Sequence, residues 1–423
     1  MTRARLYALA VLAGLCCLGH RSAHAQAGPG APAYGFPGPA FAPDGSGPAG
    51  PYETPMPPPD DPCYIDPTAI NTMGTQVGPL IRTDGWFLRT EYLNYTIKKP
   101  GNELLGAPVA GVADPTKPFL AFLPGTGVPI GLATVPSTAG MNLGSMNGVQ
   151  VTAGVSFIDD GSVEIGAFFL GRKETGFTLA PLGAPVFIPV GFFSFITVPT
   201  VVATSTLSNG SVSDHLLLYD TSYSAVFQSQ LWGAEANYLY DYDAVGMLQL
   251  RPLIGARYLN LTERLTQTGV FQGPLAAPPI VSTIDAHTAN NLYGFQLGFR
   301  TEVVTKYLEL GLTPKILLLG NTMNVNTFTN HLRSNADPVI ASSNITSTFS
   351  FGSEVGTFAT INLTPNFSIR GGYNLIWLNR VTRPHKDVYY NDNGDAAAPA
   401  IISRTIFSDI IITGFTVGGE FRF

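Results

Sequence analysis

The chain ends on a strand that can sit in only a few kinds of fold. In Thr413 to Phe423 (TGFTVGGEFRF), Thr413, Phe415, Val417, Phe421 and Phe423 share one side, while Gly414, Thr416, Gly418, Glu420 and Arg422 share the other. A strand turns successive side chains to opposite faces, so one face here is apolar and the other carries small and charged groups. A soluble sandwich alternates too, but rarely closes its chain on an aromatic of the apolar face. Bacterial outer-membrane barrels commonly do, and Phe423 is then the signal that barrel assembly machinery reads. The terminus implies a strand with lipid on one side.

Composition agrees. Hydrophobic residues make up 45% and charged residues 12%, about half the roughly 25% charge of an ordinary soluble domain. A helical membrane protein would gather its apolar residues into runs of about 18 or more, and the sole candidate run is N-terminal. Arg3 and Arg5, apolar Leu6 to Leu18 and the small-x-small triplet Ala23-His24-Ala25 read as a secretory signal over 1–25, cleaved before Gln26. Cys16 and Cys17 lack the small preceding residue that a lipid anchor needs. Cleavage removes Arg3, Arg5 and Arg21 from 23 basic residues and none of the 29 acidic ones. The resulting 20 against 29 argues against nucleic acid as a partner. Cys63 alone survives, which excludes an internal disulfide and a thiolate metal cluster.

Residues 26–84 form a Pro/Gly/Ala-rich tail and lead-in, too poor in buriable surface to offset its ordering entropy, and are expected to be a disordered periplasmic segment. From residue 85 to 423 the alternation predicts an all-β, transmembrane, antiparallel up-and-down barrel of about ten strands. They fall at 86–97, 147–157, 163–173, 223–240, 247–265, 290–301, 307–320, 347–363, 367–379 and 406–423. Eight or twelve also fit, because 174–222 has room for a hairpin. Long segments (98–146, 174–222, 266–289, 321–346, 380–405) follow the odd strands. Tight turns such as Asp159-Asp160-Gly161, Asp241-Tyr242-Asp243 and Thr364-Pro365-Asn366 follow the even ones. Long outer loops and short periplasmic turns are the rhythm of an even-stranded barrel in the bacterial outer membrane.

The polar faces must then line the lumen. They carry Arg89, Glu91, Glu164, Arg172, Glu235, Arg257, Arg300, Glu309, Lys315, Glu354, Arg370, Glu420 and Arg422. Their signs nearly balance, and pairing is expected because isolated charges in a narrow interior are costly. About eight strands are filled by side chains and about sixteen hold a wide channel, so ten should be mostly plugged or leave a narrow pore. Trp86, Tyr92, Trp232, Tyr238, Tyr240, Tyr258, Tyr293, Tyr373 and Trp377 fall on the lipid face, where headgroup girdles place such rings.

Four segments resemble a known family. Trp86-Phe87-Leu88-Arg89-Thr90-Glu91-Tyr92-Leu93 is similar to the opening strand of the bacterial beta-barrel protein seven family. Pro252-Leu253-Ile254-Gly255-Ala256-Arg257-Tyr258-Leu259 is similar to its Gly-x-Arg-Tyr strand. Asn291 to Gly298 (NLYGFQLG) and Lys315 to Asn321 (KILLLGN) also match its pattern. The resemblance implies an outer-membrane barrel over about 86–423 and carries no activity onto any residue.

No motif argues for catalysis. His215, His287, His331 and His385 all fall in predicted outer loops. Asp214-His215 and Asp285-Ala286-His287 are similar to the acid–histidine pairs of outer-membrane aspartyl proteases, which need paired carboxylates around one water. A phospholipase would need a histidine on a strand, and no predicted strand has one. Neither HExxH, a phosphate-binding loop nor a complete calcium loop occurs, so no enzyme, cofactor or metal is expected. One outer segment, 176–203, is unusually apolar, with Phe187, Phe192, Phe193 and Phe195 clustered. It fits an extension of the neighbouring strands, a lid, a cradle for a hydrophobic solute or a partner contact. The leading expectation is an envelope barrel with a structural role or narrow passage for small solutes. A transporter of hydrophobic compounds using 176–203 and a surface adhesin acting through the long loops are the alternatives.

Overall fold

The computed structural model describes residues 85–122, 129–157, 161–180, 186–189, 195–198, 200–206, 215–241, 248–272, 278–393 and 398–423. The expected signal peptide, the tail to residue 84, Cys63, and the predicted turns at 158–160 and 242–247 lie outside them.

Ten antiparallel strands close into one barrel. They are β1 (Trp86–Ile97), β2 (Ser145–Phe157), β3 (Gly161–Leu179), β4 (Ser222–Leu239), β5 (Leu248–Phe271), β6 (Ile280–Val304), β7 (Leu308–Asn330), β8 (Ile340–Thr364), β9 (Phe367–Thr382) and β10 (Phe407–Arg422). Each pairs with its sequence neighbours, and β10 returns to β1 through Phe87↔Arg422 to Ile97↔Ile412. The Phe423 amide N–H donates to the Trp86 carbonyl at 2.9 Å, so the seam runs to the last residue. Closure leaves no sheet edge at the level of the apolar belt, as a lipid-exposed sheet requires.

Both described short connections are built by local polar groups. At Thr364–Phe367 the threonine hydroxyl accepts from the Phe367 N–H at 3.0 Å, and Asn366 donates to the Arg422 carbonyl at 2.9 Å. At Thr305–Leu308 the Thr305 N–H donates to the Leu308 carbonyl at 2.9 Å. Gly161 opens β3 at φ +115°, and a Cβ there would meet the Leu239 carbonyl oxygen at 2.0 Å. Only glycine fits that position.

The wall is uneven in height. The β2–β3 pairing stops at Gly148↔Leu170, whereas β3–β4 continues to Tyr223↔Leu179. Likewise β8–β9 begins at Gly352↔Leu378, whereas β7–β8 continues to Thr329↔Ile340. Strands β3 to β8 therefore stand taller than β9, β10, β1 and β2. This corrects the expected loops at 266–289 and 321–346, which are mostly strand; only 272–279 and 331–339 connect. It also moves His287 out of a loop and into β6.

Across each strand the apolar face changes sides. In the part nearer the termini, large apolar residues point outward: Phe295, Ile254, Phe415 and Val417 are all more than half exposed. Toward the far end the opposite parity becomes apolar and buried, as in Leu93, Tyr95 and Ile97 on β1, or Leu317, Leu319, Met323 and Val325 on β7. Tyrosines mark the change. Tyr92 donates to Asn147, and Tyr258 donates to Asn291, each at 2.8 Å, on the outer surface. Asn94 and Asn260 bond to the same two asparagines. Beyond these rings the outside is amide and hydroxyl, while the inside is aliphatic. That is the pattern of a barrel leaving lipid for water with its core continuing inward.

The mouth is filled by chain. Residues from the loops 98–144 and 383–406 (Leu105, Met141, Leu143, Val388, Tyr390, Ile401) join Tyr223, Phe227, Leu265 and Ile284 of the wall in one buried cluster. A four-stranded sheet (119–122, 129–134, 200–205, 216–219) adds Val202, Leu217 and Tyr219 to it. The apolar segment 176–203 splits among three structures. Residues to 179 complete β3, Val186–Pro189 pairs with Phe195–Val198 as a small hairpin, and Thr200–Ser205 enters the sheet. Phe187 and Phe195 lie on that hairpin; Phe192 and Phe193 lie outside the described residues.

Candidate functional site: the barrel interior

Three tiers fill the interior. The one nearest the termini is ionic. Arg300 of β6 donates to both carboxylate oxygens of Glu164 on β3 at 2.8 Å. Lys315 of β7 reaches Glu235 of β4 at 3.0 Å and Glu354 of β8 at 3.3 Å. Arg257 of β5 joins Glu235 at 3.2 Å and also donates to Glu354. The pairs Arg300–Glu164, Lys315–Glu235 and Arg257–Glu354 each span two intervening strands, so these side chains reach across the lumen between strands about a third of the way round the barrel. At the seam Arg89 sits 3.3 Å from both Glu91 and Glu420, and Arg370 lies 3.7 Å from Glu91. Arg422, the most exposed of the set, donates to Glu420 at 2.8 Å.

Of the residues expected to line the lumen, Arg89, Glu91, Glu164, Arg257, Arg300, Lys315, Glu354 and Glu420 are buried. Glu235, Glu309, Arg370 and Arg422 are partly buried on the same inward parity. Arg172 is not among them. A bulge opposite Ser229/Leu231 shifts the β3–β4 register between Leu170 and Lys173 and reverses the facing of the residues beyond it. Arg172 is exposed and bonds Gln228, which in turn donates to Glu174 at 3.0 Å. Two members of the tier went unread in the sequence. Arg251 donates to Asp241 at 2.5 Å and Ser162 at 2.7 Å, and Glu302 lies 3.8 Å from both Arg251 and Arg300. Extending the strict alternation one step beyond Arg300 and back from Arg257 would have found both.

Above this tier Leu93, Leu170, Leu231, Leu261, Leu319, Leu378 and Ile412 turn inward with essentially no exposed surface. Between the two tiers, Tyr95, Gln150, Glu235, Arg257, Glu354 and Asn374 line a cavity of about 30 Å³. That is room for roughly one water.

The third tier is the mouth cluster, held to the wall by polar pins. Glu263 of β5 accepts from Arg383 at 2.8 and 2.7 Å, deep in the interior. Tyr223 donates to Gln267 at 2.9 Å, and Gln267 donates to Tyr390 at 2.8 Å. Asp392 pairs with His215 and, at 2.7 Å, with Arg333, joining three outer loops at one buried carboxylate. Helix α1 (Pro384–Asp387) sinks into the mouth beside β5 and β6. Burial pushes the Asp387 carboxyl up to about 8, with Glu263 adding to the effect. Burial together with Arg383 and Lys386 holds His385 well below the ordinary histidine range.

Among the described residues the candidate acid–histidine pairs do not assemble a site. Asp285 and His287 both sit on the outward parity of β6, and Asp285 is engaged by Arg264 at 2.7 Å through two bonds. His215 is engaged by Asp392, and Asp214 lies outside the described residues. His331 occupies a turn at φ +50°, its carbonyl accepting from Ser282 at 2.8 Å. Among the described residues no group of three or more His, Cys, Asp or Glu is placed to hold a metal ion.

Comparison with known proteins places this geometry. Residues 138–423 match the family described as beta barrel porin-7 (BBP7). No curated protein matches the chain. Among solved structures it is similar to the outer membrane protease OmpT from Escherichia coli, at 8% identity and a TM-score of 0.44, covering 81% of this chain and 98% of that one. It is also similar to the toluene transporter TodX of P. putida, at 10% identity and a TM-score of 0.24, covering 80% and 90%. A FadL homologue of Pseudomonas aeruginosa follows at 7% identity and a TM-score of 0.19, covering 80% and 90%. At such scores and identities these likenesses carry no reading of activity or cargo. The family match spans more than half of the sequence, and the chain belongs to the beta barrel porin-7 family as a porin-like β-barrel of the bacterial outer membrane.

Proposed function

We propose that this protein is a closed envelope barrel that anchors a folded, loop-built platform at the cell surface and holds no standing aqueous path. The observations that support the reading are the inward ion pairs between strands three places apart and the layer of fully buried aliphatic side chains above them. Either alone would block a solute; together they tie the walls into a rigid post. Its lipid-facing belt makes outer-membrane lipid its solvent, and the exposed aromatic Phe423 at the β1–β10 seam suits recognition by barrel assembly machinery.

Liposome swelling tests it. Vesicles carrying refolded protein should swell in small sugars at the rate of protein-free vesicles. Swelling that scales with protein and falls with sugar size would establish narrow solute passage instead. Transport of hydrophobic compounds is the second reading, favoured by the hairpin 186–198 with Phe187 and Phe195. It predicts binding of a hydrophobic fluorescent probe that is lost on replacing Phe192 and Phe193. An adhesin role predicts cell or matrix binding that depends on the outer loops alone.

A further inference from the structure

Helix α1 carries two buried ionisable side chains that nothing neutralises. Asp387 is 0% exposed. Its Oδ1 accepts from the Ile406 N–H at 2.8 Å, and its carbonyl accepts from the Arg404 N–H at 2.7 Å, so this residue clasps the two ends of the 383–406 loop together. Its Oδ2 has no partner. The charged groups facing it are Glu263, from β5, and Lys386, beside it on the helix. Glu263 has the same sign and is already bound at both oxygens by Arg383. Lys386 extends instead toward Glu103, 3.6 Å away. His385 is 5% exposed, with Nδ1 unpartnered, the Phe227 ring edge-on at 6.0 Å, and Arg383 and Lys386 as its charged neighbours. An ionised carboxylate at the first position, or an imidazolium at the second, would be a buried charge beside a charge of its own sign.

We propose that helix α1 with its described flanks, 383–393 and 398–406, is a proton-controlled plug, seated in the mouth while His385 and Asp387 are both uncharged and loosened when either becomes charged. The idea rests on the closed-barrel reading above. The direction comes from linkage. A released Asp387 has an ordinary pKa of about 3.9, against about 8 when seated. The released form therefore gains about tenfold per pH unit over the seated form between about pH 4 and 8. A released His385 takes a proton near about 6.5, and its seated form does so only in stronger acid. Release thus also gains about tenfold per unit as the pH falls below about 6.5. From about 4 to 6.5 the two slopes oppose and cancel, leaving the plug tightest in mild acid.

Hydrogen–deuterium exchange on the full chain refolded in detergent, corrected for intrinsic exchange rates, reads this directly. Protection of peptides covering 384–392 should be nearly level from about pH 4.5 to 6.5, then fall roughly tenfold by pH 8. Peptides from 290–301 in β6 should hold level throughout. In Asp387→Asn the alkaline fall should vanish, and in His385→Gln the acid-side loss should vanish, with heat-modifiable gel migration confirming that each variant folds. Wild-type protection unchanged to pH 9, or an alkaline fall that persists in Asp387→Asn, would overturn the proposal. A conducting pore at pH 6, where the plug is seated, would sink the closed-barrel reading and leave the exchange slopes standing.

Discussion

The two ends of this barrel solve the same problem of filling a cylinder with opposite chemistry. Near the termini the outside is apolar, and the inside is a network of Arg, Lys and Glu whose pairs reach from wall to wall. At the mouth the outside is Asn, Thr and Ser, and the inside is aliphatic and aromatic. Lipid explains the first arrangement, since every outward position must be apolar and polar residues can go only inward. Water explains the second, because once lipid is left behind the ordinary rule returns and the apolar residues move to the core. The lesson is that the solvent outside the wall, rather than the strand itself, sets which face carries the hydrophobic residues.

This contrast can be broken by mutation. The largest effect should come from the ionic tier. Arg257→Met leaves Glu235 and Glu354 facing Lys315 alone, and the barrel should lose about 3–5 kcal/mol, read as a lowered urea midpoint in detergent micelles. Loss of less than about 1 kcal/mol would mean that water screens the tier. Phe227→Ala in the mouth should cost about 3 kcal/mol. Its effect should fall on exchange protection of the 383–406 loop before that of β6. Arg264→Ala removes an outer-surface pair with Asp285 and should cost below about 1 kcal/mol in the same urea titration. Deleting 185–197 should change least of all. Among the described residues its two strands pair only with each other, so heat-modifiable migration should persist, and its loss would show that the segment supports the wall.

Much of this was legible in the sequence. Ten strands, their order and their inward charges come from alternation with Gly, Asp and Pro between. The features that escaped have a common cause. A reading that keeps one face apolar along a strand loses the strand where the faces exchange. In β7, Leu310, Leu312, Ile316 and Leu318 are outward, while Leu317, Leu319, Met323 and Val325 are inward. The run Ile316 to Leu319 is the overlap of the two patterns, and beyond it Thr322, Asn324 and Asn326 look like loop. The same exchange hid 266–271 and 280–289, and with them the place of His287 in β6. Arg172 failed for a different reason. One bulge residue reverses parity, and Gly171, a bulge signal in a strand, does not stand out among the other strand glycines. The pins Glu263–Arg383 and Asp392–His215 join segments more than a hundred residues apart, beyond the reach of spacing rules.

Planar-bilayer recording of the refolded chain at pH 6 tests the central claim most directly. A lumen obstructed by both tiers predicts a silent membrane, with no stepwise conductance on insertion. Reproducible unitary steps that Arg257→Met and Glu354→Gln shift in size would show that ions pass between these very side chains, and the account of a sealed interior would be wrong.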